Sequence, residues 1–319
     1  MHPVQSSSLS IHSFPKVAIF LCTYQGQNYL AEQLESLAAQ THSNWEVWAS
    51  DDGSEDDTLT ILDAYRRLWG PNRLSIHSGP ARGFVVNFLH STCSAALEAD
   101  YYAYSDQDDI WEADKLERAI IWLRDVPQDV PALYCSRTRL IDEKNTDIGF
   151  SPRFAKPPSF ANALMQNIGG GNTMLFNNAA RTLLQQAGED IQVVTHDWWV
   201  YLAVSGCGGQ VLYDTYPSLR YRQHSGNLIG MNAGWAARWA RICRRCRGDS
   251  RLWNDVHIKA LTRIRDRMTP ENIRILDCFS SSRNLNVIAR IVGLWRSGVH
   301  RQTLLGNLGL IAEVLFGKI

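Results

Sequence analysis

The sequence predicts an α/β protein with a mostly parallel sheet flanked by helices. Short apolar runs alternate with segments whose apolar residues recur at helical spacing, which is typical of strand–helix–strand units. The run VAIFLC (17–22) is apolar throughout, as expected of a strand covered on both faces. Leu30, Leu34 and Leu37 follow it at helical spacing, so this strand is predicted to lead into a helix.

The first half of the chain contains four predicted strands separated by three predicted helices. The strands lie in KVAIFLCTY (16–24), WEVWASDDGS (45–54), RLSIHSG (73–79) and YYAY (101–104). The helices lie in NYLAEQLESLAAQT (28–41), EDDTLTILDAYRRLW (55–69) and GFVVNFLHSTCSAALEA (83–99). Acids at the start of the second helix favour its N-terminal dipole.

The alternation becomes less regular after about Pro131. Strands are predicted in PALYCSRTRLID (131–142) and TMLFN (173–177), and one or two more in QVLYDTYPSLRYRQH (210–224). HDWWVYLAVSG (196–206) is predicted to be a helix. From about Ala233 the chain is helical and basic, without further strand signals.

Composition limits the class of protein. The 319 residues carry a formal net charge of zero, with 45% hydrophobic and 20% charged residues, which is typical of a globular protein without a global preference for nucleic acid. The N-terminus has neither the basic start nor the apolar run of a signal peptide, and no stretch reaches the roughly 20 apolar residues of a membrane span. Cys243 and Cys246 have C-x-x-C spacing, but no second pair completes a zinc site. We therefore expect a reduced, cytoplasmic protein.

Polar residues follow three of the first four strands, at the point where each strand ends. They are Thr23 and Tyr24, Asp51 and Asp52, and the cluster Asp106, Asp108 and Asp109. Because ligands of parallel α/β sheets bind outside the carboxyl ends of the strands, these side chains are predicted to share one site.

The acidic cluster has two interpretations. Asp109 and Glu112 are suited to cap the helix that begins near KLERAIIWL (115–123). A cap needs only one acceptor, however, and carboxylates this close repel one another. Mg²⁺ or Mn²⁺ would cancel that repulsion and would bind a diphosphate through its remaining positions. The sequence therefore favours a metal and diphosphate site over capping alone.

Two segments resemble the inverting glycosyltransferases of family two. Residues 18–58 are similar to the opening of that family, including SLAAQT and DDGS, and YSDQDDIWEADKL (104–116) is similar to its Asp-x-Asp-Asp segment. Gln25 stands where many members carry Asn, which concerns the geometry of a turn. The resemblance implies a GT-A fold in a catalytic domain of residues 14–232, a nucleotide-diphosphate sugar as donor, and Mg²⁺ or Mn²⁺ as cofactor.

The same resemblance implies roles for individual residues. Thr23 and Tyr24 would line the base and ribose pocket, and Asp52 or Asp51 would accept a hydrogen bond from a pyrimidine imide. Asp106 would contact the ribose or the metal shell. The complete predicted donor-binding set is Thr23, Tyr24, Asp51, Asp52, Asn87, Asp106 and Arg222, and the predicted metal ligands are Asp108 and His224.

Asp197 is the predicted catalytic base. Inverting transfer needs a base that takes the proton of the acceptor hydroxyl, and in the resembling family this region supplies a catalytic Asp, although His196 is an unusual neighbour. The alternative is that Asp197 only caps its helix. Glu189 and Asp190 are weaker candidates in a polar loop. Trp198 and the glycine run in QNIGGGNTMLF (166–176), with Gly170, Gly171 and Asn172, are predicted to border the acceptor.

The stretch LRYRQHSGNLIG (219–230) carries Arg222 and His224 on one face of a strand. Either could contact the diphosphate, and His224 could instead complete the metal shell. The stretch is similar to the rhamnosyltransferase branch of the family, which suggests dTDP-rhamnose as donor. The alternatives are UDP-glucose, UDP-galactose or UDP-N-acetylglucosamine, or a nucleotide-sugar-binding module without turnover.

Residues 233–319 form a predicted helical extension. WAARWARICRRCRGDSRLW (235–253) contains six arginines and one acid, interleaved with tryptophans. A basic helix with tryptophans suits the anionic inner face of a membrane, where a lipid-linked or growing surface polysaccharide would be the acceptor. A packed helix pair or the interface of a homo-oligomer is the alternative, and no nucleic-acid-binding motif is present.

Overall fold

The computed structural model describes residues 14–224 and 249–319. The strands are β1 (Val17–Thr23), β2 (Trp45–Asp51), β3 (Leu74–Ser78), β4 (Tyr101–Ser105), β5 (Ile110–Trp111), β6 (Ala132–Ile141), β7 (Asp147–Phe150), β8 (Leu175–Asn177) and β9 (Gln210–Arg222). The helices are α1 (Leu30–Ala38), α2 (Thr58–Trp69), α3 (Phe84–Ser94), α4 (Lys115–Leu123), α5 (Phe160–Ala163), α6 (Asn178–Ala187), α7 (His196–Gly206), α8 (Asp249–Leu261), α9 (Pro270–Ser282), α10 (Val287–Ser297) and α11 (Leu304–Leu315). Short 3₁₀ turns lie at Gly171–Thr173 and Thr262–Arg267.

These strands form one sheet in the order β3-β2-β1-β4-β8-β6-β9-β5, with β7 paired to β6. The first four strands are parallel to one another, as the strand–helix alternation predicts. β8 runs antiparallel to both β4 and β6, while β6 and β9 are parallel. The second half of the sheet is therefore mixed, which accounts for the loss of regular alternation after Pro131.

Most predicted elements are present within one to a few residues of the expected bounds. QVLYDTYPSLRYRQH forms a single long strand, β9. The sequence did not predict β5, β7 and α6. β5 has only two residues, and β7 is an exposed hairpin strand beside β6, so neither carries a clear apolar pattern.

The sheet divides the hydrophobic core into two clusters. Every residue of β1 is buried, because helices cover both of its faces. The cluster on one face includes residues of α1, α2 and α4. The cluster on the other includes residues of α3, α6 and α7 together with Leu261, Ile264 and Phe279 from the C-terminal helices. The C-terminal helices thus pack against the face that carries α7.

The predicted boundary between residues 232 and 233 lies outside the described residues, as does most of the arginine-rich segment with Cys243 and Cys246. Beyond it, side chains cap α9, α10 and α11: Thr269, Asn286 and Thr303 each accept a hydrogen bond from a main-chain N–H three residues further on. Within residues 14–224 and 249–319, the helices are too short or too polar to cross a membrane.

Candidate functional site

The polar ends of β1, β2 and β4 meet at one edge of the sheet. Thr23 lies opposite Asp51 in the parallel register of β1 and β2, and Leu21 lies opposite Ser105 of β4. Thr23 Oγ1 donates a hydrogen bond to Asp51 Oδ1 at 2.8 Å. The structure therefore brings together the strand ends that the sequence assigned to one site.

Asp51 and Asp52 each organise a turn. Asp51 Oδ2 accepts from the main-chain N–H groups of Gly53 and Ser54. Asp52 accepts from the main-chain N–H groups of Ala81 and Gly83, both at 2.7 Å. These bonds fix the two loops that border the predicted base pocket, and contact with a pyrimidine stays a prediction.

The loop after β1 is fixed by Gln107, a residue that the sequence analysis missed. The Gln107 amide accepts from Tyr24 N and donates to Tyr24 O, both at 2.8 Å. A Cβ on Gly26 would lie 2.2 Å from Gln107 Oε1, so a side chain at this position would displace the Gln107 amide. Gln25 has φ of 51°, a conformation in which Asn is enriched. The departure from Asn therefore falls on a turn whose geometry is strained for Gln.

Asn87 is buried in α3 and bonds to β2 rather than facing open solvent. Its Oδ1 accepts from Ser50 Oγ at 2.6 Å, and its Nδ2 donates to Ser50 O at 2.9 Å. A Cβ on Gly79 would approach both Asn87 Oδ1 and Asp52 Oδ1 at 2.9 Å. Asn87 thus supports the pocket wall beside Asp52, and its predicted contact with the donor stays a prediction.

Asp108 receives two partners from the end of β9. His224 Nε2 lies 2.8 Å from Asp108 Oδ2, and Arg222 Nε donates to the Asp108 carbonyl at 3.0 Å. The Arg222 guanidinium is buried, pairs with Glu32 and lies 4.6 Å from the Tyr29 ring centroid. Arg222 therefore positions the acidic turn, and a bond from it to diphosphate stays a prediction.

Asp106 links the acidic turn electrostatically to Asp197. Burial, together with the negative charges of Asp108 and Asp197, raises the pKa of Asp106 to about 8. Asp106 and Asp108 of the acidic turn thus share one weakly solvated region with Asp197, which lies far along the chain. A cation there would relieve their repulsion.

Asp109 does not cap α4, contrary to the capping interpretation. Asp114 occupies the N-cap position of that helix. Asp109 is instead buried, accepts from Asn172 Nδ2 and accepts from Arg222 N at 3.3 Å. Burial, with the charges of Asp108 and Asp106, raises its pKa well above the usual range. Glu112 also does not cap α4, because its carboxylate accepts from Arg220 Nε at 3.0 Å.

Lys115 is a second buried charge that the sequence analysis missed. Its Nζ lies 3.9 Å from the Trp111 ring centroid, and no described residue accepts its hydrogen bonds. Burial lowers the pKa of Lys115 to about 7, and the nearby charge of Asp109 opposes that shift. Lys115 is therefore a buried ionisable group that interacts electrostatically with Asp109 of the acidic turn.

Asp197 lies in the first turn of α7, and Thr195 occupies the N-cap position, so the alternative that Asp197 is the cap is wrong. Asp197 Oδ2 accepts from Gly171 N at 3.1 Å. The preceding His196 is buried and stacks on Phe88 with ring centroids 4.1 Å apart. Burial lowers the pKa of His196 to about 4, so a neutral imidazole packs behind the carboxylate.

The glycine run joins the two acidic parts of the site. Gly171 contacts Asp197, and the next residue, Asn172, donates to Asp109. A Cβ on Gly171 would lie 2.4 Å from His196 Nε2, and one on Gly170 would lie 2.7 Å from Asn172 Oδ1. The turn therefore requires glycine and sets the spacing between Asp197 and the acidic turn. Contact of these residues with an acceptor stays a prediction.

Trp198 is buried beside Asp197. Its Nε1 donates to Ala163 O at 2.6 Å, and its ring packs edge-on against Trp253 and His257 of α8. The C-terminal helices therefore contact the residue next to the predicted base.

The side chains predicted to bind the metal suit a cation that is shared with a substrate. In residues 14–224 and 249–319, no group of three or more His, Cys, Asp or Glu side chains is arranged to hold a metal. The predicted ligands Asp108 and His224 lie side by side, 2.8 Å apart. Mg²⁺ and related cations commonly take one or two protein ligands and complete their shell with water and substrate phosphates. The residues present therefore fit a metal that binds together with a diphosphate.

Solved structures similar to almost the whole chain define its fold. Residues 1–349 of TarS from S. aureus, in complex with UDP-GlcNAc, align with a TM-score of 0.56 and 15% identity, over 95% of this chain and 88% of that one. The mannosyltransferase PcManGT from Pyrobaculum calidifontis, in complex with GDP-Man and Mn²⁺, aligns with a TM-score of 0.50 and 14% identity, over 96% and 86%. The chain has the GT-A fold of glycosyltransferases.

Sequence relatives identify the family. The model of glycosyl transferase family 2 matches residues 18–185, and this chain belongs to that family. The dTDP-rhamnosyl transferase RfbG of Shigella flexneri is 29% identical over 233 residues, which cover 70% of this chain and 78% of RfbG. The putative glycosyltransferase EpsE of Bacillus subtilis (strain 168) is 30% identical over 113 residues, covering 35% and 40%. The predicted glycosyltransferase class is thereby confirmed, with a rhamnosyl transferase among its relatives.

Proposed function

We propose that this glycosyltransferase moves rhamnose from dTDP-rhamnose to a lipid-linked or growing cell-surface polysaccharide, with inversion at the anomeric carbon. The observation that carries the proposal is the joining of the acidic turn and Asp197 by one glycine turn, in which Gly171 N donates to Asp197 and Asn172 donates to Asp109. The similarity to a dTDP-rhamnosyl transferase supports the choice of donor. UDP-hexoses are the alternative donors, and the similarity to a UDP-GlcNAc complex keeps them in consideration.

In this proposal, Asp108 and His224 hold Mg²⁺ or Mn²⁺ beside the donor diphosphate. The cation, when bound, stabilises the negative charge that develops on the departing diphosphate. Arg222 and Glu32 keep the acidic turn in place from behind, since Arg222 bonds to the Asp108 carbonyl and pairs with Glu32. Asp106 is the third carboxylate of the region and faces the ribose or the metal shell.

Asp197 is the proposed base. As the acceptor oxygen forms its bond to the anomeric carbon, its proton passes to Asp197, and the bond from that carbon to the diphosphate oxygen breaks. The Gly171 N–H holds one carboxylate oxygen at 3.1 Å. The neutral His196 adds no positive charge that would weaken the base, because burial lowers its pKa to about 4.

The nucleoside part of the donor is proposed to lie at the ends of β1 and β2. Tyr24 is 57% exposed there while Gln107 fixes its main chain, so its ring is available to a base. Asp52 and Asp51 are the proposed partners of the pyrimidine imide, and Thr23 and Asn87 complete the pocket. Buried polar walls of this kind fix the orientation of a ligand.

The C-terminal helices support a location at the inner face of the cell membrane. Five large apolar side chains of α10, α11 and the residue after α11 are between 70% and 82% exposed, namely Ile288, Trp295, Leu304, Leu305 and Phe316. Residues 287–319 contain four cationic side chains and one acid, and that acid, Glu313, is buried against Arg301 at 2.8 Å. An apolar face rimmed by positive charge suits an anionic lipid surface.

Calorimetric titration of the full chain tests the proposal. dTDP-rhamnose, UDP-glucose, UDP-galactose, UDP-N-acetylglucosamine and GDP-mannose are each titrated with Mn²⁺ and with chelator. We expect dTDP-rhamnose to bind best and only with metal. Preference for a UDP-hexose would replace dTDP-rhamnose as the proposed donor. Equal donor affinity with Mn²⁺ and with chelator would remove the metal from the proposed mechanism.

A further inference from the structure

A cavity of about 310 Å³ lies between the predicted acceptor side of the site and the C-terminal helices. It is bordered by the loop after α5, the start of α7, the first turns of α8 and the residues that lead into α11. The lining residues that decide its chemistry are Gln166, Asn167, Trp198, Trp253, Asn254 and Thr303. Its volume lies at the lower end of the range of small-molecule sites.

The lining is aromatic, amide-rich and without net charge. Trp198 and Trp253 present two indole rings whose centroids are 6.0 Å apart and whose planes meet at 79°. Arg301 also borders the cavity, but its guanidinium is buried in a bidentate pair with Glu313, at 3.1 and 2.8 Å. The described lining residues therefore offer the ring of Trp253, which is 39% exposed, and neutral hydrogen-bonding groups, and no unpaired charge that would favour a phosphate.

Asn254 supplies a second observation that points to a ligand. Its side chain is only 3% exposed, and its Nδ2 has no hydrogen-bond partner among the described residues. A buried donor without a partner is costly, and a ligand that accepts its hydrogen bond would remove that cost. Asn254 is also one of the lining residues, so an amide without a partner lies at the wall of the cavity.

The position of the cavity connects it to the predicted base. Trp198 directly follows Asp197 in α7, and Asn167 lies four residues before Gly171, whose N–H holds Asp197. The cavity therefore borders Trp198, a predicted acceptor residue, and its lining includes neither Asp108 nor His224.

We infer that this cavity is a subsite for a neutral sugar unit of the acceptor glycan. A pyranose has apolar C–H faces that pack on indole rings, and hydroxyl groups that both donate to and accept from amides, so its chemistry matches the lining. A fatty acyl chain would leave the amides unpaired, and an anionic group would find no free cation in the described lining. The inference rests on the proposed function, because it assigns the sugar to the acceptor of that reaction.

Saturation-transfer NMR of the full chain with methyl glycosides tests this inference. The probes are methyl α-L-rhamnoside, methyl α-D-glucoside, methyl α-D-galactoside and methyl β-D-N-acetylglucosaminide at millimolar concentration. The nucleoside diphosphate and diamagnetic Mg²⁺ are present so that the donor site is filled. We expect at least one glycoside to bind, and Asn254→Leu to weaken it about tenfold or more. Trp253→Ala should also weaken glycoside binding. Because Trp253 is partly exposed, this variant should fold even if Asn254→Leu does not.

Leu252→Ala is the matched control, because Leu252 is 65% exposed on the same helix and does not line the cavity. Equal binding by the wild-type chain and by both cavity variants would overturn the inference, and so would the absence of binding by every glycoside. Nucleoside diphosphate binding is measured in the same samples. If the wild-type chain binds a glycoside but not the nucleoside diphosphate, the proposed donor reaction fails and the sugar subsite stands.

Discussion

His224 Nε2 lies 2.8 Å from Asp108 Oδ2, although the two residues are 116 positions apart. The end of β9 delivers the imidazole to the acidic turn, and Arg222 on the same strand holds the carbonyl of Asp108. This contact joins two stretches that the sequence analysis had assigned separately to metal binding. Loss of His224 should therefore weaken a metal site, whereas it should have no effect if the acidic turn only begins a helix.

Replacing His224 should weaken metal binding. His224→Ala removes one of two adjacent ligands while leaving Asp108 in place, so the affinity for Mn²⁺ in the presence of dTDP should fall about 10- to 100-fold. Mn²⁺ titration followed by electron paramagnetic resonance measures the change. His90→Ala is the control, since His90 is paired with Glu189 and is not one of the predicted metal ligands. An unchanged Mn²⁺ affinity would exclude His224 as a ligand.

Asp197→Asn should abolish most transfer while donor binding is kept. The carboxylate accepts from both Gly171 N and Trp198 N. The amide oxygen of Asn keeps one of these two bonds, so the turn loses one hydrogen bond, and the side chain can no longer take a proton. We expect turnover to fall by about 10²- to 10⁴-fold with little change in donor affinity. Asp190→Asn is the control, because Asp190 is paired with Arg263 at the surface. Normal turnover in Asp197→Asn would exclude Asp197 as the base. Loss of turnover in Asp190→Asn would instead favour Asp190.

The strand ends could be found from sequence because local pattern fixes them, whereas Asp197 was predicted from the family resemblance and its role stays a prediction. A buried run such as that of β1 marks where a strand stops, and parallel strands must finish at the same edge. Asp109 was misjudged because Asp before a helix is typical of a cap, whereas its partners, Asn172 and Arg222 N, lie far along the chain. Glu32 gave no signal at all: an exposed acid on α1 resembles a solvated side chain until Arg222, 190 positions away, is placed against it.

Gly171→Ala should disturb the turn that supports Asp197. The new methyl group would lie 2.4 Å from His196 Nε2 and 3.4 Å from Asp197 Cβ, so a buried ring or the backbone must move. Overpacking of this kind typically costs about 1–3 kcal/mol. Urea unfolding measures the loss. The cost should be smaller in a His196→Ala background, where the clashing ring is absent. Additive losses in the double variant would show that His196 is not the obstacle.

Membrane binding should depend on the exposed apolar face of α10 and α11. Trp295→Gln and Leu305→Gln replace side chains that are 82% and 80% exposed, so they should not disturb the core. We expect each to reduce sedimentation with vesicles that contain phosphatidylglycerol. Leu68→Gln is the control, being 73% exposed on α2. If the variants still sediment but no longer self-associate in light scattering, the face is an interface between copies of the chain.

The buried histidines should make the folded state sensitive to acid. Burial lowers the pKa of His196 from 6.5 to about 4, and that of His257 to about 3. Below about pH 6.5, the imidazoles bind protons in the unfolded chain but not in the folded one. The free energy of unfolding should therefore fall as the pH drops from about 6.5 to 4, with His196 contributing about 3 kcal/mol. Above pH 6.5 this contribution is fully present.

His196→Phe isolates that contribution, because phenylalanine keeps the stacking on Phe88 but cannot be protonated. Urea unfolding at a series of pH values should give a shallower decline for the variant, by up to about 1.4 kcal/mol per pH unit between pH 6 and 4. The slope is informative even if the larger ring changes the stability at neutral pH, since such a packing cost is the same at every pH. His257 remains, so part of the decline should persist. If stability falls with pH equally in the variant and the wild-type chain, His196 is protonated in the folded state, and its ring is not excluded from water beside Asp197.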